Sequence, residues 1–481
     1  MLEGIDSTKV FTYFEEISNI PRGSGNNTAI SNYLVDFAKE HKLSYEQDAY
    51  ENVIIRKGAS KGYEDKPVVM IQGHMDMVCE KEEGCDHDFT KDPLDLKREE
   101  DFIFANQTTL GGDDGIAIAY GLAILDDDTL MHPPIELVVT TDEETGMDGA
   151  IGLDVSALNG KYLINVDSEE EGVILTSCAG GMSVNGHFTW KRNKENGKRL
   201  TIQVGGLQGG HSGTEIHKNR ENAVLLLGRV LRELVEKKVE CSLISLDGGL
   251  KDNAIPRTAK AELLVPETEL AKRALEDIDN MLVRELENSE QNFKLSVSFG
   301  EETEEYVASP KDFQSIVYFL CHAPNGVQKM SGAISGLVES SLNLGICKTK
   351  EDGIFVSFSL RSSLQSYKEY MALQLKDCIM QAGGQYAQKS EYPAWEYRKD
   401  SKLRQIASAV YEKQYGKQPV LEAIHAGLEC GILSGKMPDL DMISIGPDIF
   451  DIHTPKEKMS ISSAQRVYQF IIGILEALCE S

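Results

Sequence analysis

Five short stretches of the chain run from apolar residues straight into groups that can bind a cation or move a proton. Val68–Asp76 (VVMIQGHMD) delivers His74 and Asp76, and Leu110–Gly115 (LGGDDG) delivers Asp113 and Asp114. Ile135–Gly146 (IELVVTTDEETG) delivers Asp142, Glu143 and Glu144, Lys161–Asp167 (KYLINVD) ends in Asp167, and Ile443–Pro455 (ISIGPDIFDIHTP) contains His453. In extended chain, residues i and i+2 point the same way, so Asp76 can orient the His74 imidazole. Three successive acids repel one another unless something positive sits beside them, and such a group suits one metal ligand plus one general base. Each stretch alone has a plainer explanation: a capped strand end, a capped helix or a solvated loop. Taken together, mixed imidazole and carboxylate donors at successive strand ends suit zinc, cobalt or manganese better than calcium or an iron–sulfur cluster.

Groups so far apart in sequence need a sheet to bring their carrier strands side by side. The first third alternates amphipathic helices (Thr8–Ile17, Thr28–His41) with β-rich runs at Asn52–Arg56, Val68–Gln72, Ile135–Thr141 and Tyr162–Val166. Gly115–Leu125 (GIAIAYGLAIL) is apolar enough to lie buried against that sheet. This is the pattern of an α/β layer, which places its sites at the carboxyl ends of strands. Beyond Gly180 the strands alternate apolar and polar residues, and long helices are predicted over Glu215–Lys238, Glu267–Asn288 and Ser366–Met380. That block is α+β, with room for two similar subdomains. After Pro393 the α/β character returns, with a helix at Leu403–Gln414, a strand at Asp441–Ile445 and a terminal helix at Ile461–Leu478. The expected fold is therefore α/β: a discontinuous catalytic domain with a mixed, helix-flanked sheet (1–180 and 394–481), interrupted by an inserted α+β lid domain (181–393).

Composition narrows the partners. A formal net charge of −28 over 481 residues argues against nucleic acid and anionic membranes, which need clustered Lys and Arg. Nine Cys without a C-x-x-C suit a reducing compartment, and with no signal peptide or membrane span apparent, the expected location is the cytoplasm. Gly58–Gly62 (GASKG) matches the G-x-S-x-G of serine hydrolases, but a polar loop follows where the nucleophile elbow requires a helix. The acidic runs Asp126–Asp128 and Glu169–Glu171 lack the spacing of a calcium loop.

The ordered strings H-M-D at 74–76, G-G-D-D-G at 111–115, D-E-E-T-G at 142–146, N-V-D at 165–167 and D-I-H-T-P at 451–455 resemble the aminoacylase/carboxypeptidase G clan of co-catalytic metallopeptidases. Within it the chain is most similar to the aminoacyl-histidine dipeptidases, also called cytosol non-specific dipeptidases. Its length, its double-size insert and the strings GGHSG and DNAIPR fit that branch. The resemblance implies two divalent metal ions, zinc first with cobalt or manganese as alternatives. His74 and Asp167 would hold one, Glu144 and His453 the other, and Asp113 would bridge them. Glu143 would be the general base for attack by a bridging hydroxide, and Asp76 would orient His74. By the same resemblance His211, Asn253, Arg361 and Gly427 would contact a dipeptide substrate, Arg361 as a fork for its carboxylate. Many relatives dimerise through the lid, so a homodimer is implied, although a double-size lid could instead supply His211 within one chain. The competing activity inside the clan is a deacylase of N-acyl amino acids using the same metals.

Overall fold

The computed structural model describes Ile5 and residues 8–481. It divides into two units, one formed by Met1–Cys178, Trp395–Ala423 and Leu428–Ser481, the other by Ala179–Ala394 and Ile424–Gly427. The short segment 424–427, read from sequence as part of the returning α/β stretch, thus belongs to the second unit.

The first unit is built on an eight-stranded mixed sheet. Its order is Ser44–Gln47, Val53–Lys57, Ile135–Thr140, Val69–His74, Tyr162–Val166, Asp441–Ile445, Val173–Cys178, Val420–Ile424. The four central strands, from Ile135–Thr140 to Asp441–Ile445, run parallel. They are buried along their whole length, which explains their continuous apolar sequence. Helices Val10–Ser18, Thr28–Glu40, Gly112–Asp126, Lys402–Tyr415 and Ile461–Glu480 share one apolar core with the sheet. Gly112–Asp126 is buried on every side from Gly115 to Leu125, so it has no polar face to show in its sequence. A Cβ on its Gly121 would lie 2.3 Å from Leu137 Cδ1, so glycine there lets the helix press onto the sheet. A second, four-stranded sheet pairs Ile449–Phe450 with Lys458–Ser460, and that strand with Phe102–Ala105. His453 therefore stands in a hairpin loop pinned at both ends.

The second unit folds around one continuous nine-stranded antiparallel sheet rather than two separate subdomain sheets. Helices Ala223–Glu236, Thr268–Leu286, Pro310–His322 and Gln365–Gln381 share its core. The helix predicted from Glu215 begins only at Ala223. Asn219 adopts a left-handed conformation (φ 50°), and the Asn222 side chain accepts from the backbone of Val224 and Leu225, capping the helix there.

Candidate metal centre and substrate-contact residues

Parallel strands end at a common edge, and four chemical motifs follow from it. His74 ends its strand; Glu143 and Glu144 follow Thr140; Asp167 follows Val166; and the His453 hairpin follows Ile445. The remaining motif, Asp113–Asp114, precedes the buried helix. These two residues are not helical (ψ 106° and 34°), so the regular helix starts after them. Asp114 is no helix cap: its Oδ2 accepts from the backbone N–H of His74 at 3.2 Å. A Cβ on Gly73 would lie 2.3 Å from that oxygen, so the glycine in Q-G-H makes the bond possible.

The side chains converge. Asp113 lies between two imidazoles, with Oδ1 3.1 Å from His74 Nε2 and Oδ2 3.2 Å from His453 Nε2. His453 Nε2 is also 3.1 Å from Glu144 Oε1, and His74 Nε2 is 3.7 Å from Asp167 Oδ1. One donor atom each from His74, Asp113 and Glu144 fall within 4.8 Å of one another, as do those of His74, Asp114 and Asp167. Asp76 Oδ1 is 3.4 Å from His74 Nδ1. The Asp76 carboxylate also accepts from Ser24 Oγ at 2.7 Å and from the backbone N–H groups of Glu143 and Glu144 at 3.0 and 3.3 Å. It thereby ties the imidazole to the turn that carries both acids.

The protonation pattern is that of a centre short of positive charge. Burial raises the carboxyls of Glu143, Asp114 and Asp167, and for Glu143 the neighbouring Asp167, Glu429 and Glu144 raise it further. Burial alone would raise Asp113 as well, but hydrogen bonds to His453 and His74 hold it below the ordinary range. Burial opposes a charged His74, yet Asp113, Asp167 and Asp76 push it well above its usual value. Hydrogen bonds to Asp113 and Glu144 push His453 up to about 10. Oδ2 of Asp167 is buried without any hydrogen-bond partner, which is costly for an ionised oxygen unless a cation faces it. The nitrogen and carboxylate donor set, the convergence on Asp113 and this unpartnered oxygen all fit divalent metal ions.

The four predicted substrate contacts all belong to the second unit. His211 lies in a two-residue strand paired with Ala254–Ile255, next to Asn253, whose carbonyl accepts from Ser212 N–H at 2.8 Å. Its Nδ1 accepts from the N–H groups of Gly213 and Thr214, both at 3.2 Å, so a neutral ring carries its proton on Nε2. Burial and the nearby Arg361 lower its pKa. Arg361 reaches Tyr392 Oη at 3.2 Å, and its Nε is buried without a partner. Gly427 lies against the Tyr392 ring, which a Cβ there would meet at 2.8 Å. His425, two residues away, is buried, bonds Ser341 Oγ at 2.7 Å and is pushed down to about 3 by burial, Arg361 and His211.

Sequence reasoning missed several residues around the centre. Arg22 and Glu457 are almost fully buried beside the Gly111–Asp113 loop. Glu429 accepts from Thr140 Oγ1 at 2.6 Å and from Gln72, and burial raises it to about 7. Each stands alone in an unremarkable stretch of sequence, so only the fold reveals it. The sole available signal was position: Glu457 lies four residues after His453, and Glu429 two after Gly427.

Comparison with known proteins follows the same line. Residues 70–477 match the model of peptidase family M20/M25/M40. The chain is 35% identical over 482 residues to the cytosol non-specific dipeptidase of Escherichia coli (strain K12), covering 99% of both chains. The crystal structure of aminoacylhistidine dipeptidase from Vibrio alginolyticus superposes with a TM-score of 0.93 at 35% identity, over 99% of this chain and 98% of that one. Aminopeptidase PepT from Bacillus cereus, at 14% identity and a TM-score of 0.58 over 98% of this chain and 99% of its own, shares the fold.

Proposed function

The chain belongs to peptidase family M20/M25/M40, and from that premise we propose that it is a cytosolic metallodipeptidase with a dinuclear centre. The observation that carries this reading is the Asp113 carboxylate set between His74 and His453, with one oxygen on each imidazole. In this reading His74 and Asp167 would hold one cation and Glu144 and His453 the other, with Asp113 serving both. When bound, two divalent cations, zinc in the first instance, supply Lewis acidity: they lower the pKa of water and polarise a carbonyl.

The chain's own residues do the rest. Glu143 takes the proton of the attacking water on its carboxylate and returns it to the departing amine. Its raised proton affinity suits both halves of that task. Asp76 holds His74 in place and, through the two backbone N–H groups, fixes the turn that aims Glu143. The Nε2–H of His211 donates to the oxyanion of the tetrahedral stage. Arg361 binds the substrate carboxylate as a fork, with Asn253 and the Gly427 backbone beside the peptide. N-acyl amino acids offer Arg361 the same free carboxylate, so it is the names of the two relatives 35% identical to the chain that favour dipeptides.

Metal-depleted protein supplied with Zn²⁺, Mn²⁺ or Co²⁺ and a dipeptide panel including Xaa-His tests this directly. Dipeptide cleavage that returns with metal, while N-acetyl amino acids stay intact, is expected. Cleavage of the acyl amino acids instead would move the function to a deacylase.

A further inference from the structure

We propose that Glu457 is the positioning residue that fixes Asp113 between the two imidazoles, with buried Arg22 as its counter-clamp. The inference rests on the metal-centre reading above. The Glu457 carboxylate is 2% exposed and accepts from consecutive backbone N–H groups: Leu110 at 2.8 Å, Gly111 at 3.1 Å, Gly112 at 2.8 Å and Asp113 at 3.4 Å. These residues precede the regular helix and have no ladder of their own to hold them. Glu457 is also four residues from His453, so the segment 453–457 grips Asp113 twice. The His453 ring faces its carboxylate, and the Glu457 carboxylate faces its backbone N–H.

Arg22 closes the other side. It is 1% exposed; Nη2 donates to the Gly111 carbonyl, and Nη1 donates to the carbonyls of Met75 and Asp76 at 3.0 and 3.3 Å. The guanidinium thus ties the Asp113 loop to the chain just beyond His74, and Arg22 and Glu457, each bonded to the backbone of that loop, together set His74, Asp113 and His453 in register. The glycines of LGGDDG then have a physical reason. Gly111 has φ +65°, and a Cβ there would lie 2.5 Å from Arg22 Nη2; one on Gly115 would lie 2.6 Å from the same atom. Any larger residue at either position would push the guanidinium away.

A carboxylate that merely stabilised the fold would change how much protein folds, not how tightly each folded molecule binds metal. Cobalt(II) alone, titrated into metal-depleted protein and followed by calorimetry and visible absorption, separates the two, with the folded fraction fixed by near-ultraviolet circular dichroism. Glu457→Gln is expected to weaken cobalt binding roughly 10- to 100-fold per folded molecule, as loss of a residue supporting a metal ligand does. Glu457→Asp, which keeps the charge, should recover part of that loss. Should Glu457→Gln not fold, Glu457→Asp carries the test, with weakened cobalt binding again expected. Wild-type affinity and an unchanged cobalt spectrum in whichever variants fold would overturn the positioning role alone. A wild-type protein that binds no cobalt would overturn the metal-centre reading and this inference together.

Discussion

The two units hold their polar groups under opposite electrostatic conditions. At the strand ends of the first unit, carboxylates outnumber bases, and burial and mutual repulsion push Glu143, Asp114 and Asp167 toward protonation. In the second unit burial, and after it Arg361, lowers the proton affinity of both His211 and His425. The neighbouring acid, Glu215, is turned to the His211 backbone N–H and to Lys218 and Arg220. One region is short of positive charge and the other of negative charge. The first therefore suits cations and the second an anionic group.

The contrast is sharpest if damage to one region spares the function of the other. Glu143→Ala should leave both metals bound while kcat falls by about 10²- to 10⁴-fold, the range for loss of a general base. Metal content by atomic emission alongside dipeptide turnover checks this, and a variant with normal turnover would remove Glu143 from the mechanism. His453→Ala should lose metal as well as activity, with the bound metal falling from two ions toward one. Full occupancy with low activity in that variant would mean that His453 acts on the substrate instead.

The same contrast explains what the sequence made legible. The first unit's groups sit directly after apolar runs, and acids crowded at a strand end break the usual pattern of a soluble loop; His74, Asp167 and the acids at 113–114 and 142–144 stand out that way, while choosing Asp113 and Glu144 among those acids took the family resemblance. The parallel order that makes their strand ends coincide is non-local, and the sequence only hinted at it. Arg22 and Glu457 were invisible because their partners are backbone atoms, which leave no mark on residue type. In the second unit His211 depends on pairing with Ala254, and Arg361 on lying opposite Gly181 with Tyr392 alongside. Those registers join residues tens to hundreds of positions apart, and without the family resemblance neither residue would stand out. The helix expected at Glu215 failed for a local reason, the Asn219 turn and the Asn222 cap.

Damage to the second unit should appear in substrate terms only. Arg361→Ala should raise KM by roughly 10- to 100-fold, from the loss of about 1.5–3 kcal/mol of charge-assisted hydrogen bonding, with metal content unchanged. His211→Ala should instead lower kcat, by about 10² if Nε2–H serves the oxyanion. Steady-state kinetics on one dipeptide separates the two effects. Equal losses of kcat and metal in either variant would dissolve the division of labour between the units.

The last effect is a pH dependence seated in the first unit. In metal-free protein His453 has its proton affinity raised from an ordinary 6.5 to about 10, first by hydrogen bonds to Asp113 and Glu144. A raised histidine adds stability that is complete below the unfolded value and disappears as pH climbs to the folded one. The metal-free protein should therefore lose stability between about pH 6.5 and pH 10. A metal ion needs that same nitrogen deprotonated, so its apparent affinity should rise over the same interval. Chemical denaturation of metal-free and metal-loaded protein at several pH values checks both slopes. His453→Gln should flatten the metal-free slope, because no proton is then bound between Asp113 and Glu144. A slope that survived His453→Gln would place the titrating group elsewhere, with His74, which shares Asp113, the next residue to test.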